Sequence, residues 1–281
     1  MTAFIEKMTF GSYFGKPEIV ELMVNHSVAK KLYSERERYF VRKYGHIIFK
    51  LFGYPLSVYD RQRARVIMRY LNPKRNERVL DAGCGIGYYS FELATKFGCK
   101  VSGVDIDAED IKLAKQIIKK TYVPNVEFSV CDVSKLKFGN ETFDKIILSE
   151  VLEHITDDIG VLNELYRVLK PKGYLILSTP YVDTMVEYTE QKSKIYKELN
   201  IKGGHVRNGY SLERLSKILK DVGFDVEEYT YVIKKFTKSA FFPKFLVMYP
   251  ISMLDYLLKG KGRGIILKAK KRNGVHAKNE L

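Results

Sequence analysis

Cysteine is scarce: Cys84, Cys99 and Cys131 are the only three in 281 residues, and no two stand in the CxxC spacing of a zinc site. A disulfide framework is excluded and a reducing, cytoplasmic compartment is expected. Proline is also rare at eight residues, while 46% of the chain is apolar and 13% aromatic, which rules out collagen-like structure and wholesale disorder. Long unbroken apolar runs are missing. The most apolar stretch, residues 241–258, is interrupted by Pro243, Lys244, Pro250 and Asp255, so no transmembrane span is expected. Residues 1–7 likewise lack the apolar core and small-residue cleavage site of a secretion signal.

Negative charge is in deficit. The 48 Lys and Arg against 33 Asp and Glu leave +15, which implies an anionic partner such as nucleic acid, a membrane surface or a phosphorylated substrate. The excess is not uniform: residues 29–75 hold 13 basic against 3 acidic residues, and residues 259–281 hold 8 against 1. The centre, 76–258, is close to neutral. The length suits one large domain with appendages.

That centre reads as strands alternating with helices. Short apolar runs at 79–82, 100–104, 126–131, 145–149 and 174–178 fit buried strands, with longer periodic segments between them. Thr156 is the expected N-cap of a helix reaching Lys170, ended by Pro171 and Gly173; Ser211 is the expected cap of another closing at Gly223, with Tyr210 and Leu215 as a staple. Strands at 224–232 and 264–269 follow. The expected fold class is α/β, a Rossmann-like doubly wound sheet of seven mostly parallel strands with an antiparallel edge hairpin. The expected divisions are an N-terminal helical extension or lid over 1–74 and a main domain over 75–281. The latter includes an apolar helical insertion at 236–260 and a basic tail at 271–281.

The strongest motif is Val79-Leu80-Asp81-Ala82-Gly83-Cys84-Gly85-Ile86-Gly87-Tyr88. A strand enters a turn whose glycines at 83, 85 and 87 let backbone approach a ligand closely, and a helix follows. Asp105 comes 18 residues after Gly87 at the end of the next strand, where a carboxylate can accept from both hydroxyls of a ribose. A nicotinamide dinucleotide site shares these features. No Lys-Ser/Thr follows the glycines, which disfavours a nucleoside-triphosphate loop.

The D-x-G-C-G-x-G loop resembles that of class I S-adenosylmethionine-dependent methyltransferases, over roughly residues 75–232. The resemblance implies that Gly83, Cys84, Gly85 and Gly87 pack on the methionine moiety and that Asp81 helps hold its ammonium group. It further implies that Asp105 binds the ribose, that Asp132 accepts from the adenine amine, and that Ile106 and Val133 sandwich the ring. Phe143-Asp144-Lys145-Ile146-Ile147 leading to Ser149-Glu150 also matches, with Ser149 on the cofactor. Leu169-Lys170-Pro171-Lys172-Gly173 departs from the usual P-G-G by having Lys172. Plain capping or loop roles remain the alternative for Asp81 and Asp132, and Cys84 is expected to serve the turn rather than to act as a nucleophile.

After the fourth strand the chain reads Ser149-Glu150-Val151-Leu152-Glu153-His154 and lacks the D/N/S-P-P-Y/F of base N-methylases. If this segment is helical, Glu150, Glu153 and His154 share one face. The E-x-x-E-H pattern resembles metal-assisted O-methyltransferases of RNA 3′-termini and of quinone biosynthesis, in which a later histidine, here His205, completes the site. Three roles stay open: a divalent metal on Glu150, Glu153, His154 and His205; a metal-free general base from His154 or His205, with Glu150 beside it; or structure alone.

The flanks bear on the acceptor. Basic residues around the apolar segment 236–260 suit an element that meets anionic lipid, and they suit ordinary packing or an RNA groove as well. The expected reaction is methyl transfer to a hydroxyl of a hydrophobic or membrane-associated small molecule. The alternatives are RNA 2′-O-methylation and a non-catalytic sensor or scaffold that binds S-adenosylmethionine.

Overall fold

A computed structural model describes residues 16–25, 58–185, 204–232 and 260–272, with positions 35, 39, 41–45 and 47. The apolar insertion over 236–259 and the tail beyond 272 lie outside the described residues, as does most of the N-terminal extension.

In chain order, α1 (Pro17–Asn25) and α2 (Val58–Leu71) precede β1 (Arg78–Ala82), α3 (Tyr88–Glu92, continued by a wider π turn at Leu93–Phe97) and β2 (Lys100–Asp105). Then come α4 (Ala108–Thr121), β3 (Val126–Val130), β4 (Phe143–Ser149), α5 (Asp158–Val168), β5 (Leu169–Pro180), α6 (Leu212–Val222), β6 (Phe224–Val232) and β7 (Gly264–Lys271). The seven strands run in the order β3-β2-β1-β4-β5-β7-β6. All neighbours are parallel except β7, which runs antiparallel to both β5 and β6. The chain reverses its direction of travel across the sheet at β1, which pairs with both β2 and β4. A crevice at the carboxyl ends of those strands is where open α/β sheets bind ligands.

Burial on both faces explains the short apolar strands. Ile111, Ala114 and Ile117 of α4 cover one face with Phe91, while Val161, Leu162 and Leu165 of α5 and Leu215 and Leu219 of α6 cover the other. Local chemistry fixes the helix ends. Asp107 accepts from the Glu109 N–H at the start of α4, Ser211 from the Arg214 N–H at the start of α6, and Gly223 closes α6 in the left-handed region at φ 114°.

Two boundaries differ from expectation. Asp157, not Thr156, caps α5, because its carboxylate reaches the Gly160 N–H at 2.8 Å. The helix also ends at Val168, before Pro171, because Leu169 already turns extended and pairs with Phe143 to open β5. The basic tail likewise begins later than 271. Lys271 is 7% exposed and its Nζ donates to the carbonyls of Tyr166 and Leu169, tying β7 to the end of α5. Of the extension, α1 lies on α4, and α2 lies against β5 and β7 and reaches the carboxyl end of β4 through Tyr59 and Arg63.

Candidate active site

The glycine loop follows β1. The N–H groups of Gly83 and Cys84 both donate to the Val104 carbonyl, at 2.8 and 2.9 Å, so the turn is strapped to the end of β2. At Gly83 and Gly87 a Cβ would meet Val151 Cγ2 at 2.2 Å and Phe128 Cζ at 2.4 Å, so the protein's own packing demands glycine there. Gly85 is different. Its nearest neighbour would be Asp110 Oδ2 at 3.7 Å, so its φ of 51° and the side it leaves open, rather than a clash, account for its identity. Cys84 is 8% exposed and burial pushes its thiol well up, which makes it a poor nucleophile.

Asp81 is held from within the protein. It is 1% exposed, and its Oδ2 accepts from both the N–H and the Oγ of Ser90, holding the first turn of α3 beneath the loop. Burial pushes its carboxyl up to about 6 despite those bonds. Between the unfolded value near 4 and about 6 the native state therefore binds more protons than the unfolded state, so the stability this group contributes falls as pH rises through that window. Urea unfolding from pH 4 to 7 is expected to show a shallower fall for Asp81→Asn than for wild type, with a differential of about 2–3 kcal/mol.

Asp105 stands at the end of β2 with Oδ2 accepting the Gly85 N–H at 2.7 Å and Oδ1 the Asp107 N–H at 2.9 Å. It thus fixes both the loop and the entry to α4. Asp132 follows the neighbouring β3; its Oδ1 accepts from Ser134 N–H and Oγ, both at 2.8 Å, and the residue is exposed. Ile106 is 73% exposed, whereas Val133 is 7% exposed and packs in the core, so the two offer unequal faces to a ring.

The expectation that Glu150, Glu153 and His154 share one helical face is corrected. Glu150 leaves β4 in the left-handed region at φ 56°, and only Leu152–His154 form a single 3₁₀ turn. Glu150 is consequently not among the residues whose ligand atoms lie within 4.8 Å of one another. Its Oε2 accepts from Tyr59 at 2.9 Å and pairs with Arg63 at 3.1 Å, and its Oε1 accepts from Ser178 at 3.1 Å. Burial, then the Glu150 charge, push the Tyr59 phenol well up, so it remains a donor. Ser149 lies 3.0 Å from Ser178 Oγ and hydrogen-bonds the buried Tyr89, which also reaches Arg63. Tyr59, Arg63, Tyr89 and Ser178 escaped the sequence reading. The only local signal was Tyr59 and Arg63 at i, i+4 on one face of α2.

Glu153, His154 and His205 do come together. Glu153 is 1% exposed, accepts from Thr179 Oγ1 at 3.1 Å, and is pushed up to about 8 by burial and then by the Glu150 charge. His154 Nε2 lies 3.8 Å from Glu153 Oε1, and the His154 and His205 rings meet edge to face at 4.5 Å. His205 is delivered by its neighbours. Val206 N–H donates to the Glu153 carbonyl at 2.9 Å, and buried Arg207 donates to the carbonyls of Leu152, Ile155 and Thr156 and to the Tyr210 hydroxyl.

One carboxylate and two imidazoles, with donor atoms within 4.8 Å of one another, suit a divalent transition metal in kind. Donors about 2.1 Å from a shared ion stand about 3.4 Å apart, so the trio would have to close somewhat. Glu150 is committed to Tyr59, Arg63 and Ser178 and is not among the three, so the expected four-ligand set is not assembled.

The central part of the chain is similar to known proteins. A family model described as "Methyltransferase domain" matches residues 73–236. The sterol 24-C-methyltransferase of Saccharomyces cerevisiae is 32% identical over 155 residues, which is 54% of this chain and 40% of that enzyme. The demethylmenaquinone methyltransferase of Listeria welshimeri is 25% identical over 179 residues, 58% of this chain and 76% of that one. The match thus spans about two fifths of the length of the sterol enzymes. Among solved structures, Haemonchus contortus phosphoethanolamine N-methyltransferase 2, in complex with phosphomonomethylethanolamine and S-adenosylhomocysteine, superposes with a TM-score of 0.55 at 21% identity. It covers 76% of this chain and 53% of that chain.

Proposed function

The chain belongs to the methyltransferase-domain family, the class I S-adenosylmethionine-dependent enzymes, and on that premise we propose that it methylates a hydrophobic, membrane-associated small molecule, at a hydroxyl. The single observation that carries this reading is the convergence of Glu153 with two imidazoles, His154 and His205, beyond the carboxyl ends of β4 and β5.

When bound, S-adenosylmethionine supplies an electrophilic methyl on a good leaving group. The chain's residues then align, exclude water and take a proton. The glycine turn packs on the methionine end and the Asp105 carboxylate holds the ribose, with Asp132 and the open face of Ile106 beside the base. Tyr59 and Arg63 bring α2 onto Glu150 and Ser178, closing the acceptor side. His154 or His205 receives the acceptor proton at a ring nitrogen, with Glu153 Oε1 3.8 Å from His154 Nε2. Were a divalent ion bound by Glu153, His154 and His205, it would lower the acceptor hydroxyl's pKa.

Two features support a greasy acceptor. Basic residues are concentrated at 29–75 and 259–281 around the apolar stretch 241–258. Two relatives are named for sterol and demethylmenaquinone chemistry. The name 24-C-methyltransferase also favours a second reading, transfer to carbon, in which the same histidines would remove a proton from the methylated carbon.

Labelled methyl transfer into a whole extract, split into lipid, RNA, protein and small-molecule pools, tests the proposal. Label in the lipid pool, in a product whose NMR shift marks an O-methyl, is expected. A C-methyl shift selects the second reading, and label in RNA defeats both. Repeating the assay after exhaustive chelation separates the imidazole base, whose turnover persists, from the metal.

A further inference from the structure

At the end of the sheet away from the glycine loop, the starts of β4 and β5, the loop before β1 and Lys268 of β7 surround a cavity of about 360 Å³. That is within the size range of small-ligand sites. Five lysines line it, Lys74, Lys145, Lys170, Lys172 and Lys268, against two carboxylates, Glu77 and Asp144.

Both carboxylates are already neutralised. Lys145 Nζ lies 2.7 Å from Glu77 and also caps the carbonyl end of α2 at Asn72, 2.8 Å away; Lys170 Nζ lies 2.6 Å from Asp144. Lys268 is held over the Tyr174 ring at 4.8 Å and reaches Glu228 outside the cavity. Among the described residues no carboxylate lies within ion-pair distance of Lys74 or Lys172, so the lining keeps an excess of positive charge.

Lys172 adds an independent observation. It sits in the left-handed region at φ 62°, where glycine is unstrained and lysine is not. Packing does not require a side chain there, since the residue is exposed; the tight fit belongs to Gly173, whose Cβ would meet the Asp144 carbonyl at 2.8 Å. Backbone strain is tolerated at a position whose visible effect is to bring an ammonium group to the cavity.

We propose that this cavity is a second binding site, for a phosphate-bearing anion, separate from the methyl-transfer centre. Several ammonium groups around a concave surface favour a multiply charged phosphate over a carboxylate. Free phosphate compounds and phospholipid headgroups share that chemistry.

The test uses the full chain with Lys172→Gly and Lys74→Gln. Inorganic pyrophosphate, titrated calorimetrically at moderate salt, is expected to bind wild type saturably and each variant about tenfold more weakly. Lys172→Gly should melt no lower than wild type, because its strain is relieved, so that weaker binding cannot be ascribed to misfolding. Sedimentation with phosphatidylcholine vesicles containing phosphatidic acid distinguishes the sources. Retention that falls in both variants points to a headgroup, and unchanged retention with weakened pyrophosphate binding points to a free phosphate compound. Variants that match wild type with both probes overturn the proposal.

Discussion

Asp105→Ala is expected to weaken S-adenosylmethionine binding about 100-fold, or about 3 kcal/mol, while leaving the protein folded. The carboxylate has two tasks in one place. It accepts the Gly85 N–H at 2.7 Å and the Asp107 N–H at 2.9 Å, which set the glycine turn and the first turn of α4. On the proposed cofactor site it would also accept from the two ribose hydroxyls, and charge-assisted hydrogen bonds are worth about 1.5–3 kcal/mol each. The alanine variant loses the ligand bonds and loosens the loop together. Asp105→Asn keeps one acceptor oxygen and should lose about tenfold. Calorimetric titration measures both, and circular dichroism checks the fold. An affinity unchanged in the alanine variant would remove Asp105 from the cofactor site.

The largest effect on stability is expected at Arg207. The residue is 3% exposed, and its guanidinium donates to three carbonyls in the Leu152–Thr156 segment and to Tyr210, with Asp158 at 3.6 Å. Arg207→Met keeps much of the volume but takes the guanidinium donors from those buried carbonyls and leaves the Asp158 carboxylate only its bond from the Tyr210 hydroxyl, at a cost of about 3–5 kcal/mol. For a domain of this size the melting temperature should fall by about 10 °C. The same variant should lose turnover more steeply than cofactor affinity, because Arg207 holds His205 against His154 while the glycine loop lies on other elements. Urea unfolding and a paired measurement of binding and turnover check both parts. A variant as stable as wild type would show that the segment around His205 is held by other contacts.

Most of the sheet was legible because its signals are local. The strand at 224–232, the Ser211 cap and the Gly223 stop depend on residues within a few positions of each other, and the structure places them as read. Near misses were also local: Thr156 and Asp157 are both competent caps, and the carboxylate at 157 reached Gly160. The site was harder to read where long-range contacts override local pattern. The spacing of Glu150, Glu153 and His154 suggested one helical face, but the left-handed backbone at Glu150 and donors from Tyr59, 91 residues earlier, turn its carboxylate elsewhere. Asp81 was identified as part of the loop from its motif, yet its partner, Ser90, could be learned only from how α3 folds back under the turn. His205 was visible as a lone histidine, and what brings it to His154 is a buried arginine two residues on.

Direct titration of the full chain with S-adenosylmethionine and, separately, with a nicotinamide dinucleotide puts the assignment of the glycine turn and Asp105 to the strictest trial. One saturable site for S-adenosylmethionine that is lost with Asp105→Ala, and no heat from the dinucleotide, is expected. Saturable binding of the dinucleotide with none of S-adenosylmethionine would overturn it.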